Sequence, residues 1–116
     1  MAAQQFKSIA AAAATGAGVS SHLGLPMPIH SMQVVTTGVP TGCVVDLEGS
    51  LDGTNWFLLV RWDITVQANK EFVTASAFAG TNLRAFPVVS YVRANLTTLS
   101  GGTAPTVTAT IASFGS

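Results

Sequence analysis

"TVTATIAS", Thr106–Ser113, is the stretch on which the fold turns. Val107, Ala109 and Ile111 fall at every second position, and Thr106, Thr108 and Thr110 fill the places between them. Side chains of a strand point alternately to its two faces, so the run describes a half-buried β-strand with an apolar inner face and a hydroxyl-bearing outer one. Most of its residues are β-branched, which suits a pleated sheet and costs a helix side-chain freedom.

The same signal extends backwards along the chain. "SGGTAP" (Ser100–Pro105) precedes the strand, and Gly101-Gly102 can supply the positive φ angles of a hairpin loop. Before it lies "RAFPVVSYVRANLTTL" (Arg84–Leu99), in which Pro87 is expected to bend the strand, mark an edge or begin a new strand. "EFVTASAF" (Glu71–Phe78) reads as a further strand. "NWFLLVRW" (Asn55–Trp62) is apolar on both faces, which predicts a central strand covered on both sides. In "CVVDLEGSL" (Cys43–Leu51), Cys43, Val45, Leu47 and Leu51 share one face, while Val44, Asp46, Glu48 and Ser50 share the other. "SMQVVTTG" (Ser31–Gly38) opens the series and runs into the turn residues "GVPTG". About seven or eight strands at short, regular spacing predict an all-β chain, an antiparallel β-sandwich or jelly roll.

Residues 1–25 read differently. They are rich in Ala, Gly and Ser, with few large side chains, and Pro26 and Pro28 in "LPMPIH" impose extended backbone where the body begins. The expectation is an arm over 1–25, extended or docked on a neighbouring subunit, followed by a β-sandwich domain over 26–116. Ala10–Ala14 favour helix individually, but five residues are too few to offset helix nucleation. Gly16, Gly18 and Gly24 read as flexibility. Lys7 followed by Ile9–Ala14 is a faint leader pattern, shorter than the usual apolar region of about 7–15 residues. It is read as part of the working chain. No apolar stretch approaches the roughly 20 residues of a membrane-spanning helix, so no membrane association is expected.

A chain of 116 residues suits one domain with one core. Charged residues make up 9%, against roughly 25% in ordinary globular proteins. Five basic residues balance five acidic ones, which leaves no basic patch for phosphates and argues against a nucleic-acid partner. So uncharged a surface is expected to be covered in part by other proteins.

Few groups can carry chemistry. Cys43 is the single cysteine, so no intrachain disulfide forms, and its apolar run predicts a buried structural thiol. With His22 and His30 it cannot by itself complete a closed zinc site. Asp46 and Glu48 share a strand face and could join Asp52 on the following turn, as Ca²⁺ ligands or as a glycosidase pair. They read instead as the solvated face of an alternating strand. Asn95-Leu96-Thr97 fits the glycosylation acceptor pattern but reads as strand. Trp56 and Trp62, six apart, share a parity; an exposed pair would suit sugar stacking, and core packing or subunit contact is the expectation. No catalytic, metal or cofactor residue is expected, and no enzymatic activity.

"SLDGTNWF" (Ser50–Phe57) invites comparison with the Asp-box of sialidase-like propellers, Ser-x-Asp-x-Gly-x-Thr-Trp, and fails it. Asp52 and Gly53 are adjacent, and Trp56 comes one residue early. The stretch reads as a tight hairpin turn at Asp52-Gly53, with Ser50 and Asn55 bonding the local backbone. Together, "EGSLDGTNWFLL" (Glu48–Leu59) and "YVRANLTTLSGGTAPTVTATIAS" (Tyr91–Ser113) resemble small β-sandwich structural proteins of tailed bacteriophages. There a Ser-x-Asp-Gly-x-x-Trp hairpin is paired with a later strand that runs through a Gly-Gly-Thr-x-Pro turn into a Thr/Val-alternating last strand. The likeness spans roughly Val44–Ala112. It implies a jelly-roll-like virion protein: a capsid decoration (cement) protein on the outer shell, or a tail or baseplate component contacting a receptor or glycan. The partners implied are the major capsid protein and copies of itself, as a dimer or trimer. The location implied is the capsid surface, after synthesis in the host cytoplasm.

Overall fold

Thr106–Phe114 forms a strand whose burial alternates residue by residue, with Val107, Ala109, Ile111 and Ser113 inside. A computed structural model describes residues 3–65, 72–75 and 88–115. Among them are nine strands and no helix: β1 (Ala3–Ala12), β2 (Gly16–Ala17), β3 (Ser21–Met27), β4 (Ile29–Thr37), β5 (Gly42–Ser50), β6 (Phe57–Asp63), β7 (Phe72–Ala75), β8 (Val89–Ser100) and β9 (Thr106–Phe114). One sheet has the order β1-β9-β4-β7. The other has β8 beside β5 and β5 beside β6, with β2 and β3 both pairing the far side of β8. Every pairing is antiparallel. The chain is an all-β sandwich.

The core lies between the sheets. Met32 and Val34 of β4 and Val107, Ala109 and Ile111 of β9 face Cys43, Val45 and Leu47 of β5 and Val92, Ala94 and Leu96 of β8. Each larger side chain so buried contributes about 1.5–3 kcal/mol relative to exposure. His30 is also fully buried on β4, with its Nδ1 2.8 Å from the Ser113 hydroxyl in the neighbouring strand.

The segment expected to be an arm is part of the sandwich. β1 pairs with β9 of the same chain, and β2 and β3 pair with β8. Ile9, Leu23 and Met27 reach the core. Between β1 and β2 the backbone crosses from one sheet to the other, and Ser8 holds the crossing. Its hydroxyl donates to the Val19 carbonyl at 2.7 Å and accepts from the Ala94 N–H at 2.9 Å. Gly18 serves close approach rather than flexibility, because a Cβ there would overlap the Ser8 carbonyl oxygen and the Ile9 side chain. The Ala run forms no helix: β1 ends at Ala12, with Ala11 at a φ of 49°.

Three further expectations change. β6, expected in the middle of a sheet, is the outermost strand of its sheet among the described residues. Its register slips at Leu59, since Leu47 pairs with Val60 and Glu48 with Leu58. That bulge adds one residue and breaks the parity between Trp56 and Trp62. Trp62 turns into the core and Trp56 lies over the outer face. Leu51, placed by parity with Cys43, Val45 and Leu47, lies past the end of β5 and is exposed, while Ser50 is buried. The expectations for Pro87, and for the ends of "EFVTASAF" beyond β7, lie outside the described residues.

Candidate functional site

Polar and aromatic side chains collect on the outer face of the β8-centred sheet. Tyr91, Arg93 and Asn95 alternate along β8 with the buried Val92, Ala94 and Leu96. Across the ladder, Glu48 pairs with Arg93, Asp46 with Asn95 and with Arg61 of β6, and His22 of β3 with Tyr91. Strand alternation thus places four charges and two rings on one surface, and register makes them neighbours.

The contacts saturate most of these groups. Asp46 accepts two hydrogen bonds from Arg61, from Nε at 2.7 Å and Nη2 at 3.0 Å. Glu48 accepts from Arg93 Nε at 2.8 Å and from Asn95 Nδ2 at 3.2 Å, one on each oxygen. Arg93 also lies flat over Trp56, with its guanidinium carbon 4.2 Å from the ring centroid. His22 stacks on Tyr91 with centroids 4.5 Å apart and planes 13° from parallel. The turn closes over the same ring, since a Cβ on Gly53 would sit 3.1 Å from it.

Asp52 stays in its own turn. One oxygen accepts from the Thr54 and Asn55 N–H groups at 2.8 Å each and from the Ser50 hydroxyl at 2.9 Å; the other accepts from Asn55 Nδ2. The backbone N–H of Asn55 first, then that of Thr54, hold its carboxyl far below the usual carboxylate range. Asp63 is lowered by hydrogen bonds from Thr65, and Arg61 is raised chiefly by its bond to Asp46. Burial, and secondarily the Asp63 charge, push the Cys43 thiol up to about 11, as suits a structural cysteine.

Asp46 and Glu48 are therefore not the solvated face expected of them; each is paired with an arginine and largely covered. Asp52 does not join them, and no group of three metal-ligating side chains occurs among the described residues. Asn95 is a strand residue, tied to Glu48. Sequence reading passed over Arg61 and Arg93, and although it weighed His22 and Tyr91 it did not bring them together. The available signal was two acids alternating on one strand and basic residues at alternating positions on two others, the pattern of cross-strand ion pairs. An open hollow of about 370 Å³ is lined by residues between 8 and 19, among them Ala10, Ala12 and Ala17, with no titratable group among the described residues of its wall.

Fold and face together define a two-sheet antiparallel β-sandwich with a tightly cross-bonded outer surface. Among solved structures it is similar to the SPBc2 prophage-derived protein YomS, with a TM-score of 0.58 and 10% identity, over 96% of this chain and 91% of that one. At that identity the likeness is one of fold. No protein-family model matches the sequence, and no curated protein matches it.

Proposed function

We propose that this chain is a structural protein of a tailed-bacteriophage particle, a capsid decoration protein that binds the outer shell and stabilises it. The observation that supports this most is the whole-chain likeness of fold to a prophage-derived protein, beside a hairpin and last-strand pattern that resembles those of phage β-sandwich proteins. A sandwich whose polar groups bond one another is a stiff body, suited to repeated contacts whose individual weakness is offset by avidity on a lattice. Its partners on this reading are the major capsid protein and copies of itself, as a dimer or trimer at the capsid surface. The test is mass spectrometry of purified particles, followed by heating shells with and without the bound protein. Presence on the head and a higher disruption temperature are expected; absence from the head ends the reading.

One observation favours a second reading, a tail or baseplate module touching a glycan. Trp56, Tyr91 and His22 lie on one face among carboxylates and an amide, the residue types that hold sugars. Against it, Arg93 covers a face of Trp56, and His22 and Gly53 close on Tyr91. Titrating the protein with host-surface oligosaccharides while following tryptophan fluorescence separates the two readings.

A further inference from the structure

Asp52-Gly53 is a dipeptide with a covalent chemistry of its own. In such a sequence the backbone nitrogen of the glycine can attack the side-chain carboxyl of the aspartate. A bond forms between Gly53 N and Asp52 Cγ, the carboxyl hydroxyl leaves as water, and the nitrogen gives up its proton, closing a five-membered imide. Water then opens the imide at either carbonyl. One opening restores aspartate; the other leaves isoaspartate, with the main chain routed through the side chain. Glycine permits the attack most readily because it has no Cβ to crowd its nitrogen. The reaction needs a carboxyl in its acid form and an N–H free to lose its proton.

A single hydroxyl stands between the two reacting groups. Ser50 Oγ accepts from the Gly53 N–H at 2.9 Å and donates to Asp52 Oδ1 at 2.9 Å. The attacking nitrogen therefore has its hydrogen engaged. Asp52 Oδ1 also accepts from the Thr54 and Asn55 N–H groups, and Oδ2 accepts from Asn55 Nδ2. Led by the Asn55 N–H, these bonds hold the carboxyl far below the usual carboxylate range. Little of it then carries the hydroxyl that must leave. Water is not what the site lacks, since Asp52 is exposed. Ser50 is fully buried at the end of β5 and paired with Tyr91 of β8, so the strand ladder fixes its hydroxyl in place.

We infer that Asp52-Gly53 is a site of spontaneous isoaspartate formation that the fold keeps shut, and that Ser50 is the residue that shuts it. The inference does not depend on the shell-binding reading. On that reading it has a use, because a protein of a particle outside the cell has no enzyme at hand to reverse the change. Isoaspartate adds one atom to the main chain between β5 and β6. That would draw Gly53 off the Tyr91 ring and Trp56 from under Arg93.

The experiment ages the full chain at pH 6 and 37 °C, then denatures it and digests it with an endoproteinase that cuts before aspartate but not before isoaspartate. Cutting before Asp46, Asp52 and Asp63 gives residues 46–51 and 52–62, whereas isoaspartate at 52 leaves 46–62 whole. The samples are folded wild type, wild type unfolded in guanidinium chloride, folded Ser50→Ala, and folded Thr54→Ala, which keeps every backbone N–H named above. Folded wild type is expected to accumulate 46–62 at least tenfold more slowly than the unfolded chain. Ser50→Ala should be at least fivefold faster than folded wild type and Thr54→Ala within twofold of it, with circular dichroism unchanged in both. The Ser50→Ala rate should also stay flat in denaturant too dilute to unfold the chain, as a local route requires. Folded wild type reacting at the unfolded rate overturns the inference, and so does Ser50→Ala reacting at the wild-type rate. Equal acceleration in Thr54→Ala overturns the role given to Ser50. So does a Ser50→Ala rate that climbs with denaturant along the slope of global unfolding, which would assign the reaction to the unfolded chain.

Discussion

Replacing Ser8 by alanine tests whether the N-terminal segment belongs to the domain. Ser8 is 4% exposed, and its hydroxyl stands where β8 lacks a strand partner, in the gap between its pairings with β2 and β3. It accepts from the buried Ala94 N–H, while the Ala94 carbonyl accepts from Gly18 N–H at 2.8 Å. Alanine leaves the Ala94 N–H buried without a partner, at about 1–3 kcal/mol. The lost bond to the Val19 carbonyl, which water can replace, adds about 0.5–1 kcal/mol. The sum, about 1.5–4 kcal/mol, is a large part of the roughly 6–17 kcal/mol available to a chain of this length. In urea, with a slope near 1.5 kcal/mol per molar, the unfolding midpoint should fall by about 1–2.7 M without a change in slope. Thr15→Ala, exposed in the same segment, should stay within about 0.3 M of wild type. A Ser8→Ala midpoint within 0.3 M (about 0.5 kcal/mol) of wild type would refute the reasoning, because an arm resting on a neighbouring subunit adds nothing to the stability of a monomer.

Asp52→Ala should lower stability at pH 7 and flatten its dependence on acid. A carboxyl whose folded pKa is depressed stabilises above its unfolded pKa near 3.9, and that contribution is lost as pH falls toward the folded value. Urea midpoints from pH 7 to pH 2 for both proteins check this, and parallel curves would count against it. Cys43, with its thiol pushed up to about 11, should resist iodoacetamide at pH 8 in the folded chain and react fully in urea. A raised pKa implies stability that is present below the unfolded value near 8.5 and lost as pH rises toward 11, so Cys43→Ser should show a shallower alkaline decline. Gly53 has a φ of 77° and the Tyr91 ring beside it, so Gly53→Ala should cost about 1–3 kcal/mol by thermal melting. Arg93→Ala should uncover Trp56 and shift tryptophan emission to longer wavelength, since Trp62 stays in the core.

The strands past residue 30 were legible because alternation is a local property. Val107, Ala109 and Ile111, like Cys43, Val45 and Leu47, face the core as their spacing predicts. The bend at Asp52-Gly53 was legible for the same reason: the bonds Asp52 accepts from Ser50, Thr54 and Asn55 span at most three residues. It lies, however, in a six-residue loop between Ser50 and Phe57 rather than in a tight two-residue hairpin turn. Residues 3–27 misled because their small side chains carry little apolar signal. What holds them is backbone pairing to β8 and β9, some 60 to 110 positions away in the chain. Parity failed at Leu59 because one inserted residue reverses every face beyond it, and nothing in "WFLLV" marks the insertion.

The sequence by itself determined the fold class, the inner face of most strands, the buried thiol and the bend at Asp52-Gly53, each set by residues a few positions apart. Tertiary structure alone decided which strands stand at the sheet edges and that Asp46 and Glu48 face arginines rather than water. It also decided that residues 3–27 pair with β8 and β9 of their own chain. Those outcomes depend on which strands pair and in what register. The free energy that selects them comes from contacts between distant segments, to which no local pattern responds.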